Sequence, residues 1–264
     1  VEKESEPIIT SLNKLIQVKE MYPMIAFWCV GCILFQIIMT SSVYYCTYYL
    51  MNPAVIPIYM VIISIGGLVG IVGIMPILLR VLKGSMRKAV TYTQSVAAVC
   101  YLILFFVGGK SMVVLYVLTF IACLFSSMTN AFRMMTAVGM TDYVFLSAGE
   151  QLNGTISAIN GFAYKCGTAI SNALLAGVLA VTGYVANAIG EEPEAVLIGI
   201  NSVRFLVPLV ATILYIIFIQ FYPEKKMAEL RQMSRLWTGV GAQLVECLWA
   251  PKNSVFSTGQ PGCA

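Results

Sequence analysis

There is no histidine anywhere in these 264 residues, and that absence alone removes His-ligated metal centres and histidine proton relays. Charge is also scarce: Asp, Glu, Lys and Arg together make up 11% of the chain, against 59% for hydrophobic residues. A soluble domain of this size has nowhere to hide so much apolar surface, so a water-soluble globule is excluded. Acids are missing from one place in particular. All twelve Asp and Glu residues fall in connections or tails, apart from Asp142 at a helix end, so no carboxylate reaches the middle of an apolar run. The sequence has no GxSxG, no acid pair within a span and no nucleotide-binding loop, which argues against an intramembrane enzyme, an ATP-driven pump and a nucleic-acid partner.

What the chain does have is apolar sequence in lengths that fit a bilayer. A helix needs about 20 mostly apolar residues to span the hydrocarbon. Six such runs follow one another, at roughly 24–50, 55–80, 89–108, 112–140, 152–182 and 196–221. Runs of this length are helices, not the ten-residue alternating strands of a membrane barrel, so the expected fold class is an all-α membrane protein. The chain begins at Val1 with a charged stretch, Glu2 to Glu6, and no signal-peptide pattern; that start reads as a cut. Lys and Arg mark cytoplasmic connections. Arg80, Lys83, Arg87 and Lys88 crowd the second connection, and Lys225, Lys226, Arg231 and Arg235 follow the sixth run. The connection at 183–195 carries Glu191, Glu192 and Glu194 and no base. Both termini are therefore expected on the cytoplasmic side of the cell membrane, with the acidic loop outside. The connection near 142–151 fits that pattern less well, because it holds acids but no base.

Eight cysteines are present, yet Cys29, Cys32, Cys46, Cys100, Cys123 and Cys166 all sit inside apolar runs, where they read as small packing residues. The CxxC at Cys29 and Cys32 only sets two thiols on one helix face.

Polar side chains in hydrocarbon are costly unless they face other helices or water, so polar stripes show which faces line something. In the fifth run Asn153, Ser157, Asn160, Tyr164, Thr168 and Ser171 fall within about 80° of arc, with Lys165 and Asn172 on the flank. One reading is helix-to-helix contact helped by Gly154, Gly161, Gly167 and Gly177; the other is a solute-facing surface. Lys165 favours the second, because it lies about 20 Å into the helix and cannot easily reach either surface. In the fourth run Ser126, Asn130 and Arg133 share a face. Two readings stand for Arg133, snorkelling to the interface and contact with a substrate. Gln36, Thr40, Tyr44 and Tyr48 repeat every four residues in the first run, a face suited to packing or to stacking on a sugar ring. Lys165, and Arg133 if it stays inside, need a counter-charge from another segment, a substrate or water.

The stretch 142–222 resembles the glycoside-pentoside-hexuronide:cation symporters, the melibiose permease group of the major facilitator superfamily. The likeness runs through Asp142-Tyr143, Gly149, Gly154, Lys165-x-Gly167, Thr182-Gly183-Tyr184-Val185 with Asn187, Glu194-Ala195, Gly199-Ile200 and Phe221-Tyr222-Pro223, with Tyr48-Tyr49 and the basic loop 80–88 upstream. The resemblance implies a twelve-helix fold in two halves, of which this chain matches helices seven to twelve. Residues 1–23 then correspond to a central cytoplasmic loop, 24–222 to the six-helix C-terminal half, and 223–264 to a cytoplasmic tail whose last part, after Ser234, matches nothing in the family. It implies that Lys165 faces the substrate and cation region, and that the coupling carboxylates sit mainly in the first half. Departures fall where the family carries a cytoplasmic charge cluster, because Gly139, Phe145, Gln151 and Asn153 stand at four of its charged positions.

The expectation is thus a secondary carrier for a sugar or glycoside, a hexuronide among the options, coupled to Na⁺ or H⁺ and holding no cofactor. Its predicted substrate contacts are Lys165, Asn160, Tyr164, Thr168, Asn130 and Arg133. Its partners are the substrate, the coupling cation bound mainly by an N-terminal six-helix half, that half itself and lipid. The alternative is a transporter-like module that senses or assembles without moving solute.

Overall fold

The computed structural model describes residues 18–109, 111–148, 152–184 and 193–229. Several features of the sequence reading lie outside them: Glu2 to Glu6, Gly149, Glu150, Gln151, Val185, Asn187, Glu191, Glu192, Arg231, Arg235 and the tail after Ser234. The described residues form six helices long and apolar enough to cross a membrane: α1 (Met21–Tyr49), α2 (Pro53–Val81), α3 (Met86–Val107), α4 (Met112–Phe145), α5 (Asn153–Thr182) and α6 (Glu194–Ile219). Helix α4 continues beyond the run read from the sequence, so Asp142 lies on its last turns.

Three helices contain a widened π turn, at Tyr45–Tyr49, Val69–Ile74 and Ser202–Leu206. The last has a visible cause: Pro208 has no N–H to bond the carbonyl four residues earlier, and its ring crowds that carbonyl, so the turn around Arg204 opens. Helix α4 runs through Ser127 with helical backbone angles and the Ser127 amide on the Cys123 carbonyl at 3.0 Å, and tightens there, the Asn130 amide closing a shorter turn on the Ser127 carbonyl at 3.3 Å. The Ser127 hydroxyl lies 3.3 Å from the Gly67 carbonyl of α2 and 3.4 Å from the Leu124 carbonyl of its own helix, both acceptors.

Apolar packing forms two clusters, one toward each end of the bundle. Phe27 stacks on Tyr215 at 4.0 Å in the first, where Trp28 Nε1 donates to Thr136 Oγ1 at 3.1 Å and the Tyr215 hydroxyl to the Thr129 carbonyl at 3.0 Å. Each polar tip thus has a partner, as burial in a dry core demands. The six cysteines in the spans are free thiols, four of them buried.

Helix α5 rests chiefly on α1. Gly167 makes this approach possible: a Cβ there would come 2.6 Å from Cys32 Cβ and 2.8 Å from the Cys29 carbonyl oxygen. At Gly161, about 120° around the helix from Gly167, a Cβ would meet nothing within 4 Å.

One end of the bundle is clipped by charge. Glu224, just past α6, accepts from the Met86 amide at 2.8 Å and the Ser85 hydroxyl at 3.1 Å, which places a carboxylate on the N-terminus of α3 where the helix dipole favours it. Arg87 donates to the Tyr222 carbonyl. Lys226 bridges to Glu20 at 2.7 Å. Its hydrogen bond holds the Glu20 carboxyl below the ordinary value of 4.5, and Glu20 raises Lys226 above 10.5.

Two outcomes are expected. Gly167→Ala costs about 1–3 kcal/mol by forcing α1 and α5 apart, while Gly161→Ala stays within about 0.5 kcal/mol; thermal unfolding of the two purified variants measures the contrast. The depressed Glu20 contributes above its unfolded pKa and loses that contribution as pH falls through the lowered value; the raised Lys226 contributes below its unfolded pKa and loses it as pH rises through the raised value. The clip therefore holds across neutral pH, and in Lys226→Gln the Glu20 titration, followed by carbonyl NMR, returns toward 4.5.

Candidate functional site

The polar stripe of α5 straddles the border between the face packed on α1 and the face left open. Asn160 and Ser171 are buried, Tyr164 and Thr168 half-buried, and Asn153, Ser157, Lys165 and Asn172 exposed. The cause is geometric. Gly167 and Ala163 mark the contact with α1, and at 100° per residue Lys165 points almost directly away from them. Lys165 lies about 18 Å from one end of α5 and about 25 Å from the other. Among the described residues it has no ion pair or hydrogen bond. Of the six spans α5 is the least buried and the least apolar, which is the wrong character for a face turned to lipid and the right one for a face turned to water or another protein.

Arg133 does not extend toward the interface. It is 5% exposed and turned inward, toward α5. Its Nη2 donates to Asn130 Oδ1 at 3.0 Å and its Nε to the same oxygen at 3.3 Å, while Nη1 donates to Asn160 Oδ1. The guanidinium carbon stands 5.5 Å from the centre of the Tyr164 ring. Four of the six residues singled out in the sequence therefore meet around one cation: Asn130 and Arg133 from α4, Asn160 and Tyr164 from α5. Thr168, whose hydroxyl returns to the Tyr164 carbonyl at 3.0 Å, and Lys165 stand apart from this group.

Asn130 also lines a cavity of about 300 Å³ between α1, α2 and α4, with Phe35 and Met39, Ser64 and Gly67, Ser126 and Ser127 on its walls. That volume is at the lower end of small-ligand pockets, and its wall is mostly apolar, with three serine hydroxyls and the Asn130 amide as its polar points. A wider hollow of about 520 Å³ flanks the far end of α5, but its lining, from Ile170 to Thr182, is apolar and includes none of these polar groups.

The tyrosines of α1 have gone to packing. Tyr44 and Tyr48 close on Tyr184, with the Tyr48 and Tyr184 hydroxyls 2.6 Å apart. One residue was not singled out by sequence reasoning at all. Arg204, in the π turn of α6, is completely buried and donates to the Tyr59 hydroxyl at 2.9 Å. Its signal was present as a lone arginine ten residues into an apolar run, four residues before a proline.

Removing one acceptor from a buried guanidinium is costly. Asn160→Ala is expected to lower unfolding free energy by about 2–3 kcal/mol, and Ser157→Ala, one turn away and exposed, by less than about 0.5 kcal/mol; denaturant or thermal unfolding of the two side by side reads the difference.

A family model described as MFS/sugar transport protein matches residues 1–226. The chain is 27% identical over 227 residues to the glucuronide carrier protein homolog of Escherichia coli (strain K12), covering 83% of this chain and 49% of that protein. It is 29% identical over 188 residues to the uncharacterized symporter YnaJ of Bacillus subtilis (strain 168), covering 70% of this chain and 39% of that one. The chain thus spans half or less of the length of these relatives. The six apolar helices, the inward polar groups and a family match over most of the chain agree: this is a multi-pass membrane protein that belongs to the MFS/sugar transport family, a family of transporters and not of enzymes.

Proposed function

We propose that this six-helix unit works as the C-terminal half of a secondary carrier that moves a sugar or glycoside, of the anionic hexuronide class, in symport with Na⁺ or H⁺. The observation that supports this reading most strongly is the arrangement at Arg133, a permanently charged group withdrawn from solvent and met by two neutral amides but by no carboxylate among the described residues. A carboxylate on the solute supplies the missing charge. Asn130 then links that cation to the mostly apolar cavity, where the sugar ring lies against Phe35 with the Ser64, Ser126 and Ser127 hydroxyls on the wall, and Tyr164 offers a ring face beside the guanidinium. The name of the Escherichia coli relative, a glucuronide carrier homolog, is in keeping with that chemistry.

Lys165 and Thr168 lie on the open side of α5, which meets the other six-helix half, while Asn160 stays with Arg133 in the solute site. The two halves rock against each other and open the midplane site to each side in turn. The described spans of this half carry only neutral oxygens and cations toward their interior, so the coupling cation binds mainly to carboxylates of the other half, with Lys165 balancing those charges when the ion leaves. The basic connection at 80–88 and Lys225-Lys226 set the cytoplasmic face of the cell membrane, with both termini on it.

Uptake by the full-length carrier in proteoliposomes under an imposed Na⁺ or H⁺ gradient tests this. An aryl glucuronide is expected to accumulate well above the matching neutral glucoside. Arg133→Gln should raise its KM by about tenfold or more, the loss of one charge-assisted contact. Lys165→Met should abolish uphill uptake. Equal handling of the two glycosides, or undiminished accumulation by Lys165→Met, overturns the reading.

A further inference from the structure

A hydroxyl in a membrane helix has an acceptor ready at hand, the carbonyl four residues earlier. Thr40, Ser64, Thr136, Thr168 and Thr212 all give their proton to that carbonyl. Ser126 does not. It is 5% exposed, it lines the cavity at Asn130, and its oxygen accepts from the Tyr101 hydroxyl of α3 at 2.9 Å. Tyr101 is completely buried behind that wall; its phenol needs an acceptor, and Ser126 supplies it. The proton of Ser126 itself meets no acceptor among the described residues.

The other polar groups of the wall are committed differently. Ser64 donates to the Met60 carbonyl at 2.8 Å, and the Ser127 hydroxyl has two carbonyls to donate to, so these two oxygens are left to accept. Asn130 turns its Oδ1 to Arg133, which can only donate, and its amide hydrogens meet no acceptor among the described residues. Ser126 and Asn130 stand one turn apart on the same face of α4. The wall therefore offers donors at Ser126 and Asn130 and acceptors at Ser64 and Ser127, which complements sugar hydroxyls, since each of those both accepts and donates. We propose that Ser126 is a specificity-determining contact, donating to a ring hydroxyl of the solute, and that Tyr101 is its positioning residue, occupying the serine oxygen so that the serine proton is left for the solute. This rests on the reading of the cavity as the sugar site but not on the charge of the solute, because neutral and anionic glycosides carry the same ring hydroxyls.

Uptake by the full-length carrier of an aryl glucoside, the matching glucuronide, and the 2-, 3- and 4-deoxy forms of the better substrate tests it. In the wild type one deoxy form is expected to lose about tenfold in kcat/KM. Ser126→Ala should bring the parent within about twofold of that form, and Ser126→Thr, which keeps the hydroxyl, should restore the preference. Tyr101→Phe should raise the KM of the parent about threefold with kcat unchanged, and should do nothing further when Ser126 is already alanine; a merely structural phenol would act equally in both backgrounds. The double variant removes both hydroxyls and leaves neither unpaired, so it carries the deoxy comparison should Ser126→Ala alone not fold. Absence of a deoxy preference in the wild type, its survival in Ser126→Ala or the double variant, or an equal effect of Tyr101→Phe in both backgrounds overturns the proposal. Glucuronide against glucoside decides the charge class, and parent against deoxy form decides the Ser126 contact, so the two readings fail separately; uptake of neither glycoside overturns both.

Discussion

Two arginines with no acid beside them set the terms for the interior of this bundle. Elsewhere a buried cation is met by a carboxylate or loses its proton, but an arginine does not deprotonate, and the described spans contribute no acid to their core. Arg133 is met by the carbonyl oxygens of two asparagines and by the face of Tyr164. Arg204 is met by one tyrosine hydroxyl and two ring faces. Neutral dipoles soften a charge without cancelling it, so the inside of this unit remains positive, and a negative group that enters gains from being there. The solute proposed at Arg133 is one answer to that imbalance.

The backbone is irregular in the places where these groups lie. Widened and tightened turns in a membrane survive only where the groups they leave unpaired face protein or a cavity, since lipid offers them nothing. The tightened turn at Ser127 lies on the cavity wall with Asn130, and the π turn at Val69–Ile74 adds Ile71 to the same wall. The π turn at Ser202–Leu206 carries Arg204 inward. Gly167 sets the other boundary. By letting α5 close on α1 it fixes which of the α5 side chains are sealed in and which remain open.

The spans were legible in the sequence because lipid imposes a length and a composition that one strand of text can show. The chemistry of the stripe on α5 was legible as well, but its division was not. Whether Asn160 is buried and Asn153 exposed depends on where α1 and α4 lie, and helical periodicity holds no information about neighbours. For the same reason Arg133 could be read equally as reaching for the interface: the asparagine that turns it inward lies 27 residues away on another helix. The tyrosine face of α1 offered packing and sugar stacking alike until Tyr184 was seen closing on it. Arg204 escaped notice because it belongs to no stripe; its partners come from α2 and its own helix, and the effect of Pro208 on the turn was the one local hint.

The claim on which most depends is that the open face of α5 borders a water-filled solute path and not lipid. Cysteine substitution at Lys165 in the full-length carrier, on a background lacking the native thiols, followed by labelling with a membrane-impermeant charged thiol reagent, tests it directly. The account predicts rapid labelling at Lys165→Cys that added glycoside slows, with none at Val72→Cys on the exposed face of α2. Reaction of Lys165→Cys only with a lipid-soluble reagent, indifferent to the glycoside, would contradict it.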